Sequence, residues 1–120
     1  MLERLGSRYR LVILSNIENA LLAESVALLG VEFAHLVTAE DVRSYKPRVA
    51  HFEEGLRRLG LARESVLHVA ASPYHDVAPA RALDWRVAWI NRTGIALPTG
   101  IAPPTLELPN LAALVERLGV

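Results

Sequence analysis

Arg10 is followed by the apolar run Leu11-Val-Ile-Leu14, which stops at Ser15-Asn16. A short unbroken apolar run ended by small polar residues is what a strand buried on both faces of a parallel sheet requires. Ile17 to Leu29 then takes up helical spacing, so Ser15 and Asn16 fall where a strand hands over to a helix. In open α/β sheets that carboxyl edge is where ligands bind. The run therefore constrains the fold class and also marks the first place to look for chemistry.

The remaining chain alternates in the same way. Met1 to Leu5 has the character of a helix's last turn, with Gly6 as its stop. A helix is expected from about Glu18 to Leu29, with Leu21, Leu22, Val26 and Leu29 on one face and Gly30 ending it. Phe33 to Val37 reads as a second strand. Thr38 to Pro47 is polar and turn-like, and Pro47 suits the first position of a helix carrying Val49, Phe52, Leu56 and Leu59. Val66 to Ala71 reads as a third strand, Ser72 to Asp76 as a loop, Val77 to Leu83 as a short helix and Arg86 to Asn91 as a fourth strand. The proline-rich stretch Thr93 to Pro109 is expected to be irregular, followed by an amphipathic helix from Asn110 to Leu118. The pattern β-α-β-α-β-α-β-α predicts an α/β fold: a Rossmann-like parallel sheet of about four strands flanked by helices.

With 120 residues the chain is expected to form a single domain, residues 1–120. Thirteen basic residues balance thirteen acidic ones, which gives no electrostatic reason to expect nucleic acid or an anionic membrane as partner. No segment reaches the roughly 18 unbroken apolar residues of a membrane span. The N-terminal residues lack a signal-peptide layout, and there is no cysteine for a disulfide or a thiolate site. A soluble, cytoplasmic domain is the expectation.

Three positions lie at or just beyond strand ends: Ser15 with Asn16, Lys46 before Pro47, and Asp76 after the third strand. A hydroxyl and exposed backbone N–H groups can hold an anion, a lysine adds fixed positive charge, and a carboxylate opposite can bind Mg²⁺. Each residue also has a plain structural reading. Ser15 and Asp76 can serve as helix caps, and Lys46 can be a solvated loop lysine. The conjunction at one sheet edge is more specific than its members.

Leu11-Val-Ile-Leu-Ser-Asn16, Ser44-Tyr-Lys-Pro47, Leu67-His-Val-Ala-Ala-Ser-Pro-Tyr-His-Asp76 and Val87-Ala-Trp-Ile-Asn-Arg92 together resemble the haloacid dehalogenase (HAD) superfamily, in its type II haloacid dehalogenase-like branch. The resemblance implies that Ser15 hydrogen-bonds the transferred group. It also implies that Lys46 steadies the nucleophile and the phosphate or substrate carboxylate, and that Asp76 is a Mg²⁺ ligand in the phosphatase branches.

Two family features have no match. The nucleophilic aspartate, in an Asp-x-Asp or Asp-x-Tyr-Gly-Thr setting, is not found, and no helical cap segment follows a first strand. The chain thus reads as a truncated HAD core, missing the strand that would lie between Leu11–Leu14 and Val66–Ala71. Those two strands are then expected either to pair directly or to be covered in a homodimer. In the fourth motif Ala70-Ala71-Ser72 precedes Asp76, so one of the two usual carboxylates is gone, and Phe52 stands where dehalogenases carry a Tyr. Without an aspartyl nucleophile the ester intermediate of haloacid dehalogenation cannot form. The expected activity is weak Mg²⁺-dependent hydrolysis of a small phosphorylated metabolite. Ser15, Asn16, Lys46 and Ser72 would hold the phosphate and Asp76 the metal, and either a metal-bound water or a substitute carboxylate, Asp41 or Glu40, would attack phosphorus. The other reading is a non-catalytic remnant, an interaction module or one half of a split hydrolase.

Overall fold

A computed structural model describes residues 2–120. The expected class holds: parallel strands alternate with helices. Among the described residues five strands form two ladders, β1–β2 and β3–β4–β5. The chain divides into two compact units, one running to Gly60 and taking in Val120, the other Leu61–Gly119.

In the first unit, α1 (Leu2–Gly6) precedes β1 (Val12–Ser15), which pairs in parallel with β2 (His35–Thr38), Val12 opposite His35 and Ser15 opposite Thr38. The crossover is α2 (Asn19–Leu29), which ends at Gly30 with φ 67°, a left-handed conformation that glycine adopts without Cβ strain. Thr38 ends β2 and caps α3 (Ala39–Val42), its Oγ1 accepting the Asp41 N–H at 3.1 Å. A helical turn thus occupies part of what the sequence presents as a polar turn.

The next helix, α4 (Ala50–Leu59), starts three residues later than Pro47 suggests. Pro47 follows a cis peptide bond, and the Arg48 N–H closes a turn onto the Tyr45 carbonyl at 3.0 Å. The segment up to Val49 is therefore a tight turn and not the first turn of a helix. The buried residues of α4 are His51, Phe52 and Gly55, and the helix packs against β1 and β2. Gly55 permits the close approach: a Cβ there would lie 3.1 Å from Leu14 Cδ2.

The second unit holds β3 (Leu67–Ala70), β4 (Arg86–Ile90) and β5 (Leu106–Leu108), all parallel. Pro73–Val77 forms a wide helical turn in which the Val77 N–H reaches the Ser72 carbonyl, where the sequence reads as loop. It leads into α5 (Ala78–Ala82). The stretch expected to be irregular contains β5. Leu106 and Leu108 alternate with Glu107, and they pack on a core of Ala88, Ile90 and Leu114. Apolar burial at alternate positions thus overrides the surrounding prolines. The final helix, α6 (Leu111–Leu118), is capped by Asn110, whose Oδ1 accepts the Ala113 N–H at 2.8 Å. Leu114, fully buried on that helix, contributes about 1.5–3 kcal/mol. Among the described residues no helix is long and apolar enough to cross a membrane.

Candidate active site

The carboxyl end of β1 is held by a set of direct bonds from the segment that follows α3. Asn16 Oδ1 accepts the Lys46 backbone N–H at 2.7 Å, and Asn16 Nδ2 donates to the Lys46 carbonyl at 3.3 Å. One amide side chain therefore grips both main-chain groups of Lys46. The Lys46 Nζ in turn donates to the Leu14 carbonyl at 2.9 Å. Because that carbonyl belongs to β1, the ammonium is anchored at the strand's end. All of these groups are half-buried. Asn16 and Lys46 are thus brought together by reciprocal contacts across 30 residues of chain, with Ser15 next to Asn16 in the chain.

Ser15 contributes two atoms. Its Oγ accepts the Ile17 N–H at 3.2 Å, ahead of the true start of α2, so it stabilises the turn and does not cap the helix. A hydroxyl that accepts one N–H still carries its own proton to donate. The Ser15 carbonyl accepts from His51 Nε2 at 2.7 Å, and His51 is completely buried. The sequence puts His51 in its helix without pointing to a role; the only signal it carries is that of a polar residue on the inward face of α4. Asn16 also borders an open hollow of about 390 Å³, lined further by Glu18, Ala39, Glu40, Arg43 and Tyr45. Arg43 ends α3 in the left-handed region, φ 51°, a conformation uncommon for a residue with a Cβ.

Asp41 and Glu40 are tied into a different network. Asp41 Oδ1 accepts from Asn19 Nδ2 at 3.1 Å and its Oδ2 from Arg58 Nη2 at 3.3 Å. The Asn19 amide, ahead of Arg58, holds the Asp41 carboxyl below its ordinary range. Glu40 Oε1 accepts the Asn19 N–H at 2.9 Å, and Thr38 Oγ1 donates to Asn19 Oδ1 at 2.5 Å. These carboxylates join α2 to α3 and α4. Beside them Arg57 and Arg58 draw the Glu54 carboxyl down to about 2.

Ser72 and Asp76 lie in the second unit. Ser72 Oγ accepts the His75 N–H at 3.1 Å and meets His75 Nδ1 at 3.0 Å, so it caps the turn that begins at Pro73. Asp76 is 7% exposed, and its Oδ1 lies 3.0 Å from His68 Nε2. His68 in turn sits edge-on to Trp85. Mg²⁺ asks for several oxygen ligands. Among the described residues no group of three or more His, Asp and Glu comes together to hold a metal, and Asp76 is engaged by an imidazole. Mg²⁺ held through Asp76 would be completed by water and substrate oxygens rather than by further carboxylates of the described residues.

Comparison with known proteins agrees with this architecture. The family pattern described as haloacid dehalogenase-like hydrolase matches residues 1–90. Haloacetate dehalogenase H-2 of Moraxella sp. (strain B) is 37% identical over 113 residues, which cover 92% of this chain and 50% of that protein. The crystal structure of 2-haloacid dehalogenase from Pseudomonas syringae pv. tomato DC3000 superposes with a TM-score of 0.82 at 33% identity, covering 98% of this chain and 50% of that one. A HAD phosphatase from Thermococcus onnurineus gives 0.83 at 28% identity, over 98% of this chain and 54% of its own. The chain spans about half the length of the curated relatives it matches. A parallel strand ending in Ser-Asn and clamped by a lysine from the next crossover is therefore found in a chain that belongs to the haloacid dehalogenase-like hydrolase family.

Proposed function

We propose that this chain carries the anion-receiving part of a hydrolytic site for a small, negatively charged substrate. The observation that carries the reading is the Asn16–Lys46 clamp, which fixes an ammonium on the Leu14 carbonyl at the carboxyl end of a parallel strand, one residue before Ser15. Charge held in place before the reaction stabilises an anionic group without reorganising, and in many hydrolytic sites nothing else lowers the barrier as much. A flexible surface lysine would lose much of that advantage to rotamer entropy and solvent.

Two substrate classes suit such a cradle. A 2-haloacid carboxylate is supported by similarity to proteins named as haloacetate and 2-haloacid dehalogenases. A phosphomonoester, hydrolysed weakly, is supported by similarity to a HAD phosphatase and by the pairing of a hydroxyl with an ammonium. In either case Lys46 meets the anion, and Ser15 donates to it. Asp41 and Glu40, whose oxygens already hold Asn19 and Arg58, serve the scaffold in this reading; water attacks the phosphorus of a phosphomonoester and the alcohol leaves, whereas displacing halide from a 2-haloacid requires an aspartate supplied by another chain.

Chloride release from chloroacetate and (S)-2-chloropropionate, and phosphate release from p-nitrophenyl phosphate with and without Mg²⁺, test the assignment. Weak phosphate release is expected from the wild type alone, falling by about 100-fold or more in Lys46→Ala, and chloride release only when a segment bearing the aspartyl nucleophile is added. Turnover that Lys46→Ala leaves unchanged refutes it. Lys46-dependent binding without turnover of either class would favour the other reading, an anion-binding module or one part of a split hydrolase.

A further inference from the structure

We infer that His51 is a positioning residue for the anion cradle, setting the backbone at Ser15 and Asn16; this rests on the function proposed above. Two successive carbonyls at the end of β1 each receive a side-chain donor from one short segment. Leu14 O takes the Lys46 ammonium at 2.9 Å and Ser15 O takes His51 Nε2 at 2.7 Å. A carbonyl oxygen can only accept, so the His51 proton in this bond resides on Nε2. Lys46 and His51 flank the turn that launches α4, so the helix start and the strand end are held at two points five residues apart.

The chemistry of the site explains why a histidine at this place affects anion binding. Ser15 Oγ and the Asn16 side chain hang on adjacent residues whose peptide orientation the carbonyl bonds fix, and the Lys46 ammonium is itself bonded to the Leu14 carbonyl just before them. His51 is completely buried, and its side chain is held by α4, which packs on β1 with Gly55 against Leu14. An aliphatic residue of similar size would keep the helix packed but leave the Ser15 carbonyl without this donor. The peptide unit would then be free to rotate, carrying Asn16 Oδ1 away from the Lys46 N–H.

The experiment uses the full chain and compares His51→Leu with His51→Gln, whose Nε2 can reproduce the donor. Amide hydrogen exchange is measured first, without any ligand. Protection of the Lys46 N–H, which Asn16 Oδ1 accepts, is expected to drop by about tenfold or more in His51→Leu and to stay near wild type in His51→Gln. Protection of the β1–β2 ladder should be retained in both. Titration with chloroacetate and with inorganic phosphate should then show about tenfold weaker binding in His51→Leu only. Unchanged Lys46 protection in a folded His51→Leu overturns the inference. Should that variant not fold, His51→Asn, whose donor falls short of Ser15, replaces it and must differ from His51→Gln in the same direction; equality of the two also overturns it. A wild type that binds neither anion, yet shows the exchange pattern, would refute the proposed function and leave the positioning role standing.

Discussion

Removal of the Asn16 side chain should cost more than its size suggests. In Asn16→Ala the Lys46 N–H loses an acceptor at 2.7 Å and the Lys46 carbonyl loses a longer, weaker donor at 3.3 Å. Both bonds are half-buried, so water recovers part of each. A net hydrogen bond contributes about 0.5–1.5 kcal/mol, and a donor left unmet in a partly dry place costs about 1–3 kcal/mol. Taking the short bond near the middle of the second range and the long one at the bottom of the first gives about 2–3 kcal/mol. For a chain of this length that corresponds to a fall in Tm of roughly 6–15 °C. Urea denaturation with a common m-value gives the quantity directly. A cycle with Lys46→Ala adds a second check. The two residues share one network, so their effects should fail to add by about 0.5 kcal/mol or more. A loss below about 0.5 kcal/mol in Asn16→Ala, the level of an ordinary surface change, would refute the clamp.

Three further outcomes follow from the same unit. Glu54 has its carboxyl held down to about 2 by Arg57 and Arg58, so its contribution is present above the ordinary value of 4.5 and is lost as pH falls toward 2. Denaturation midpoints should therefore drop across that window, and Glu54→Gln should flatten the drop, more visibly at low salt than at high salt. Gly55→Val would drive a branched side chain into Leu14, already 3.1 Å from a bare Cβ, and should destabilise by about 1–3 kcal/mol in the same denaturation assay. Arg58→Ala removes partners of Asp41, Glu54 and the Leu36 carbonyl together, and should cost about 1–2 kcal/mol, where an isolated surface pair would cost less.

Much of this architecture is legible in the residues because the signals are local. The run Leu11–Leu14, the helical spacing after it and the stops at Gly30 and Gly60 all depend on neighbours within one turn or one strand. β5 is hidden in the sequence because Leu106-Glu-Leu108 is three residues long and stands among prolines; its identity comes from β4, a distant partner. The start of α4 is ambiguous because Pro47 fits a helix's first turn equally well, and the Asn16 side chain decides otherwise from 30 residues away. The same reach explains the site. Ser15, Asn16 and Lys46 can be named from strand ends and motif, but the direction of the bonds among them cannot. Asp41 and Glu40 are attractive as acids beside the Lys46 loop until Asn19 and Arg58 are seen to take them up. His51 carries no sequence signal beyond its helical phase.

An NMR titration of the wild-type chain with chloroacetate and with inorganic phosphate bears most directly on the claim that this strand end receives an anion. Saturable shifts centred on the amides of Ser15, Asn16 and Lys46, abolished in Lys46→Ala, are the predicted result. Shifts that do not saturate, or that centre on residues remote from β1 and persist in Lys46→Ala, would contradict it.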